Sequence, residues 1–132
     1  MPEAIDLLDT RVRDFLAAFT GTADPAALGA LLADPFLLAD EAGARPVPRA
    51  AFLAALPRRA RLFAEAGLGR AELTGLTCQR LDERYVLART EWDAPRRDGG
   101  RPLRLVSSYL LREEDGRFHV VLYVNHEGLP AA

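Results

Sequence analysis

Residues 84–126 read RYVLARTEWDAPRRDGGRPLRLVSSYLLREEDGRFHVVLYVNH, and this stretch decides the fold. It holds three strand-like runs, Tyr85 to Trp92, Leu103 to Arg112 and Arg117 to Asn125, separated by two links rich in Gly, Asp and Pro. Apolar-rich runs bounded by turn residues are strands, and short links make neighbouring strands antiparallel. The link Glu113-Glu114-Asp115-Gly116 pairs Arg112 with Arg117, hence Ser108 with Val121 and Arg104 with Asn125. The longer link, Asp93 to Pro102, pairs Trp92 with Leu103, hence Glu91 with Arg104 and Arg89 with Val106.

Side chains alternate across a strand, so these registers sort the residues into two faces. One face is almost wholly apolar: Val86, Ala88, Thr90 and Trp92, then Leu103, Leu105, Ser107, Tyr109 and Leu111, then Phe118, Val120, Leu122 and Val124. The other grades from apolar to polar: Tyr85, Leu87, Arg89 and Glu91, then Arg104, Val106, Ser108 and Leu110, then His119, Val121, Tyr123 and Asn125. Neither face has the pattern of plain solvent exposure. Large apolar patches are not left in water, so the sheet is expected to be covered on both sides.

Upstream of the sheet the period changes from two to between three and four. Ile5, Leu8, Val12, Phe15, Leu16 and Phe19 mark one face of a helix ended by Thr20-Gly21-Thr22,. Asp24-Pro25 restarts a helix, with Asp24 as N-cap and Pro25 at the first position. Leu28, Leu31 and Leu32 face inward from it, and Asp34-Pro35 closes it,. Phe36 to Asp40 reads as a short strand and Glu41 to Ala44 as a turn. Pro48 opens a third helix with Phe52, Leu53 and Leu56 on one side, and Pro57 is expected to break or kink it,. Arg58 to Ala66 continues in helix to a Gly67 C-cap, and Ala71 to Leu81 is a further strand,.

At 132 residues the chain suits a single domain with a real core. Its net charge of −2 argues against a nucleic-acid partner held by counterion release,. No run approaches the length of a membrane span. The acidic N-terminus does not read as a secretory signal, and Cys78 is the one cysteine; both lead to the expectation of a reducing cytoplasm. All 17 basic residues are arginine, with one isoleucine and one asparagine in the chain. Genome composition explains such a bias, so Arg58-Arg59-Ala60-Arg61 and Arg96-Arg97 read as solvated surface.

The stretches Val12 to Phe19, Leu31 to Phe36, Ser108 to Arg112 and Asp115 to Phe118 resemble the nuclear transport factor 2-like superfamily, which includes ketosteroid isomerases and SnoaL-like cyclases. The resemblance implies an α+β cone: N-terminal helices packed in a strongly curved antiparallel sheet, with a pocket at its open end and a sheet-to-sheet homodimer. Laid against ketosteroid isomerase, the family's general-base aspartate falls on Asp40, its oxyanion-hole tyrosine on Phe15 and its protonated aspartic acid on Ser108. Phe15 offers no donor to a developing charge, which argues against steroid isomerisation. The resemblance also turns the graded face toward the cavity and leaves the apolar face for dimerisation.

These assignments make Phe15, Arg89, Glu91, Arg104, Ser108, Tyr123 and Asn125 ligand-binding candidates, with Asp40 as catalytic candidate. Asp40 reads equally as a turn residue bonding its own backbone, and Glu91 with Arg104 as a cross-strand ion pair. Arg89 and Arg104 would otherwise clamp an anionic group of the ligand. Trp92, Tyr109, Val120 and Leu122 are the expected dimer contacts. No metal site, cofactor, nucleic acid or membrane partner is expected. The preferred function is the binding of a small, partly apolar molecule in a pocket with a polar rim. Alternatives are a cofactor-free cyclase, isomerase, dehydratase or hydrolase using Asp40 as base, and a dimeric interaction module with a vestigial pocket.

Overall fold

A computed structural model describes residues 5–21 and 24–128, with Ile5 and Asp6 described by backbone alone. The inward Ile5 side chain and the helix-ending Thr22 expected above lie outside the described residues. Along the chain come α1 (Ile5–Gly21), α2 (Pro25–Gly29), β1 (Leu32–Asp40), β2 (Gly43–Val47), α3 (Arg49–Glu65), β3 (Glu72–Arg80), β4 (Tyr85–Ala94), β5 (Leu103–Glu114) and β6 (Arg117–Glu127). The strands form one curved, unclosed sheet in the order β2-β1-β6-β5-β4-β3, which with the helices makes the expected α+β cone. Neighbouring strands are antiparallel except β1 and β6, which run parallel.

Asp24 caps α2 as its sequence requires, its Oδ1 accepting the Ala26 N–H at 3.1 Å,. That helix stops at Gly29 rather than at Asp34-Pro35. The Val120 N–H donates to the Leu31 carbonyl at 2.9 Å, so sheet pairing captures the segment before another helical turn can form. Asp34-Pro35, joined by a cis bond, lies inside β1. β2 escaped the sequence reading because Gly43-Ala44-Arg45-Pro46 has little strand propensity. It is an edge strand, where proline is tolerated,. Pro57 does not break α3, which runs through it. The proline leaves the Leu53 carbonyl without its donor; Leu53 is only half-buried and Ala54 and Pro57 are exposed, so water can satisfy that group,.

The hairpin between β5 and β6 is tighter than the four-residue link expected. Asp115 and Gly116 both have positive φ, 53° and 74°, the two-residue type I′ turn that Asp-Gly favours,. Glu114 therefore pairs with Arg117, and across the other hairpin Trp92 pairs with Leu105. Both registers are offset by two from those expected, which leaves the side-chain parity unchanged. Among these three strands parity changes only inside β6. Leu111 pairs with Val120 but Leu110 with Leu122, so Val121 is an extra residue, a β-bulge,. Beyond it Tyr123 stands opposite Tyr109 and Asn125 opposite Ser107.

The core lies between α1 and the apolar face. Leu8, Val12, Phe15, Leu16 and Phe19 of α1 join Val86, Ala88, Trp92, Tyr109, Leu111, Phe118 and Val120 in one buried cluster. Burial of each large side chain stabilises by about 1.5–3 kcal/mol. The face assignment drawn from the resemblance is thus reversed: the apolar face turns inward, as simple patterning implies. Trp92, Tyr109 and Val120, expected at a subunit contact, are inside the protomer. Leu122, on the far side of the bulge, is the one of those four on the outer face, beside Leu110 and Val121.

An ion cluster fastens α1 to the sheet. Arg11 Nη2 donates to Glu113 Oε2 at 2.5 Å and Arg80 Nη2 to Glu113 Oε1 at 3.0 Å, while the Arg11 guanidinium lies over the Phe118 ring. Burial opposes the charge on Glu113, but the bonds from Arg11 and Arg80 prevail and hold its pKa below the ordinary value. Its side chain is 17% exposed, yet few atoms surround the carboxylate at the rim of the fold, so water screens part of the attraction,. Glu113→Gln should therefore cost about 1 kcal/mol. With a depressed folded pKa, the contribution is complete above the unfolded carboxylate value of about 4.3 and fades as pH falls through the folded one. Urea melts at pH 7 and pH 3 test this: the gap between wild type and variant should be present at pH 7 and shrink at pH 3.

Candidate functional site

Inside the cone a file of polar groups crosses the apolar core. Trp92 Nε1 donates to Thr90 Oγ1 at 2.7 Å, and Thr90 Oγ1 donates to the Ser107 carbonyl at 2.9 Å while sharing a 2.8 Å contact with Ser107 Oγ. Thr90 and Ser107 are buried on adjacent strands, where hydroxyls without partners would be costly,. Tyr109 follows on β5, two residues past Ser107 and opposite Tyr123. Its ring lies 4.9 Å from that of Tyr123 and edge-on to Phe19 at 5.8 Å. The file ends at α3, where Arg59 Nη2 donates to Tyr123 Oη at 3.3 Å and the guanidinium lies 5.6 Å from the Phe63 ring centre.

Arg59 differs in kind from the other surface arginines. Neighbouring atoms take part of the water from its guanidinium, although the residue as a whole is exposed. The Tyr123 phenol beside it raises its pKa against the opposing loss of water, so it remains a cation. α3 itself contributes no buried residue; Phe52, Leu56 and Phe63 are only half-buried. The helix rests loosely on the inner face, in contrast to α1. Phe52, Leu56, Arg59 and Phe63 follow spacings of four, three and four, so Arg59 occupies a position on the inward stripe,. That signal was present in the sequence and masked by the arginine-rich run around it.

The residues expected to form one site are divided between the two faces. Phe15 is inside, stacked with Phe19 and edge-on to Phe118. Tyr123 is inside because of the Val121 bulge, and Asn125 follows it to a position opposite Ser107. Arg89, Glu91 and Arg104 lie on the outer face, where Arg89 and Arg104 both bond Glu91 Oε1, at 3.2 and 2.5 Å. Arg89 foremost, then Arg104, hold the Glu91 carboxyl below its usual pKa. Ser108 is also outside, its Oγ 2.8 Å from His126 Nε2, and so does not face Phe15 across the interior. Asp40 sits at the exposed tip of the β1–β2 hairpin. Its Oδ1 accepts the Ala42 N–H at 2.9 Å and its Oδ2 lies 3.8 Å from Arg45, the turn arrangement rather than a place in the polar file.

Two open grooves mark the surface. One, of about 560 Å³, lies by Ala17, Ala18, Gly21, Ala27, Leu31 and Arg70; the other, of about 380 Å³, is on the outer sheet face by Leu37, Leu81, Tyr85, Leu110, Val121 and Leu122. Among the described residues no cluster of three or more His, Cys, Asp or Glu is placed to hold a metal ion, and no helix is long and apolar enough to cross a membrane.

The family described as NTF2-like protein (DUF6841) matches residues 2–128. No curated protein matches the chain. Among solved structures, a protein of unknown function with a cystatin-like fold from Nostoc punctiforme superimposes with a TM-score of 0.72 at 14% identity, over 95% of this chain and 94% of that one. An NTF2-like protein with a cystatin-like fold from Novosphingobium aromaticivorans gives 0.68 at 20% identity, over 92% and 84%. An NTF-2 like protein of unknown function from Shewanella oneidensis gives 0.68 at 15% identity, over 91% and 99%. Likeness at these identities speaks for the fold alone.

Burial, and next the neighbouring Tyr123, push the Tyr109 hydroxyl well above its usual pKa, so Tyr109 is a donor throughout the physiological range. A raised folded pKa means that the contribution to stability is whole below the unfolded tyrosine value of about 10 and is lost as pH rises beyond it. Absorbance at 295 nm should show one tyrosine ionising only as the protein unfolds, and Tyr109→Phe should abolish that late step. A late step that survives in the variant would assign it to another residue.

Proposed function

The chain belongs to the NTF2-like family, and from that premise we propose that it holds a small, partly apolar molecule between α3 and the inner face of the sheet. The observation that carries this is the contrast between the two long helices. α1 is locked into the core by five buried side chains, whereas α3 has none. A roof of half-buried Phe52, Leu56 and Phe63 can shift at small cost, because few of its apolar contacts are fully dry,. Below it the aromatic rings of Phe19, Tyr109 and Tyr123 supply an apolar floor, and the tyrosine hydroxyls supply orientation,. The interior groups are donors and a cation, with Tyr109 held protonated. Holding a ligand uses such groups as they stand, while proton abstraction would need a base among them.

Saturation-transfer NMR with a library of small aromatic and alicyclic molecules tests the reading against Leu56→Trp, which fills the space beneath α3. Wild type should give hits, and the variant, folded by circular dichroism, should lose them. Hits that persist in Leu56→Trp would move the ligand elsewhere, and their absence from wild type would remove it.

The same reading includes a homodimer, now through the outer face. Leu37 at 44% and Leu87 at 36% exposure stand on that face near the groove that Leu110 and Leu122 line, and apolar groups so grouped favour a protein contact. Sedimentation should give a dimer for wild type and a monomer for Leu122→Asp. A monomeric wild type would eliminate the dimer, and a dimeric variant would relocate its interface.

A further inference from the structure

We propose that Arg59 is an anion anchor, and that the molecule held under α3 is a monocarboxylate with an aromatic or alicyclic body. This rests on the pocket reading above and specifies its ligand.

The ion pairs among the described residues engage Arg11, Arg13, Arg45, Arg80, Arg89, Arg104 and Arg112, and none of them engages Arg59. Its one hydrogen bond is neutral, to Tyr123 at 3.3 Å, which is long for an arginine contact,. A guanidinium has five N–H donors in a fixed fork; this one gives Tyr123 a single N–H, and its residue is exposed, so the others face water. A cation set on the inward stripe of a helix loses part of its hydration without gaining a counter-ion from the chain. An incoming anion supplies that counter-ion.

The kind of anion follows from the charge and shape of the surroundings. Tyr109 stays neutral, so Arg59 is the one charge beside the two tyrosines, which balances a monoanion and not a phosphate dianion. The guanidinium fork matches the two oxygens of a carboxylate, and the Tyr123 hydroxyl, 3.3 Å from Arg59 Nη2, stands beside it as a further donor. The adjoining surfaces are aromatic: Phe63 under the guanidinium, and Tyr109 against Tyr123. They favour a ligand whose carboxylate is attached to a flat or compact apolar body.

The test uses 2-naphthoate and its neutral counterpart 2-naphthamide, titrated by calorimetry into the wild type, Arg59→Met and Tyr123→Phe. Met keeps an apolar stem on α3 while removing the charge, and a matched Tm confirms its fold. In the wild type the naphthoate should bind about tenfold more tightly than the amide. Arg59→Met should erase that preference while keeping the weaker affinity for the amide, and Tyr123→Phe should reduce it. Equal binding of both compounds to the wild type overturns the anchor and leaves the pocket standing. A preference that survives Arg59→Met overturns it also, by placing the anion at another cation. If neither compound binds, the anchor and the pocket fall together.

Discussion

The interior depends on one extra residue. β6 has to give Phe118 and Val120 to the core beneath α1 and then Tyr123 to the space beneath α3. Residues 120 and 123 cannot share a face in a regular strand, where parity alternates. The bulge at Val121 removes the conflict by putting two residues of β6 opposite one step of β5,. Without it the Tyr123 hydroxyl would point out beside Leu110, and Arg59 would lose its partner. A second shift, between Val106 and Ser107, leaves His126 free of the interior to meet Ser108 on the outer face. Two irregularities in one strand thus distribute its polar groups between two surfaces.

The helices divide the mechanical work accordingly. α1 is held by five buried side chains and by the Arg11–Glu113–Arg80 cluster at the hairpin end, so the inner face meets a fixed partner there. α3 is attached through its ends. Arg49 donates its N–H to Asp34 and its guanidinium to the Leu32 carbonyl, and past Gly67 the chain bonds to Pro95 and Arg97. Between those ends its contacts are half-dry. The inner face thus meets a tightly packed helix in α1 and a half-dry one in α3.

Much of this was legible in the sequence. The α1 stripe, the Asp24 cap, the Gly67 stop and the alternation of β4 and β5 follow local rules, and those rules hold where one face is buried. Even the two-residue hairpin was written in Asp115-Gly116, and reading four link residues moved the register by two without disturbing parity. The bulge was not legible. Val-Val-Leu is equally at home in a regular strand, and only the competing demands of α1 and α3 on β6 decide where the extra residue goes. Its effect on the site was large, because it alone transfers Tyr123 and Asn125 from the graded face to the interior. The reversal of the faces has another origin: the alternation of β4 and β5 already places the apolar face inward, whereas the family resemblance implies the opposite. Arg59 was obscured by composition, since in a chain whose basic residues are all arginine a run of them looks like solvation. Its place among Phe52, Leu56 and Phe63 carried the information that its neighbours hid.

The hydrogen-bond count along the polar file gives the interior a definite chemical sign. Both ends, Trp92 Nε1–H and the Arg59 guanidinium, can only donate. The four hydroxyls between them, on Thr90, Ser107, Tyr109 and Tyr123, each carry one hydrogen and two lone pairs, so the two ends are the groups in the file that supply no lone pair. At the deep end the Ser107 carbonyl absorbs the excess, taking the Thr90 hydrogen at 2.9 Å. At the α3 end no carbonyl or carboxylate among the described ion pairs and hydrogen bonds does the same for Arg59, whose partner, the Tyr123 hydroxyl oxygen, accepts a single N–H. A file of donors closed by an acceptor at one end and open at the other is polarised toward its open end. The remaining guanidinium N–H groups call for lone pairs, which a carboxylate, a carbonyl or water supplies.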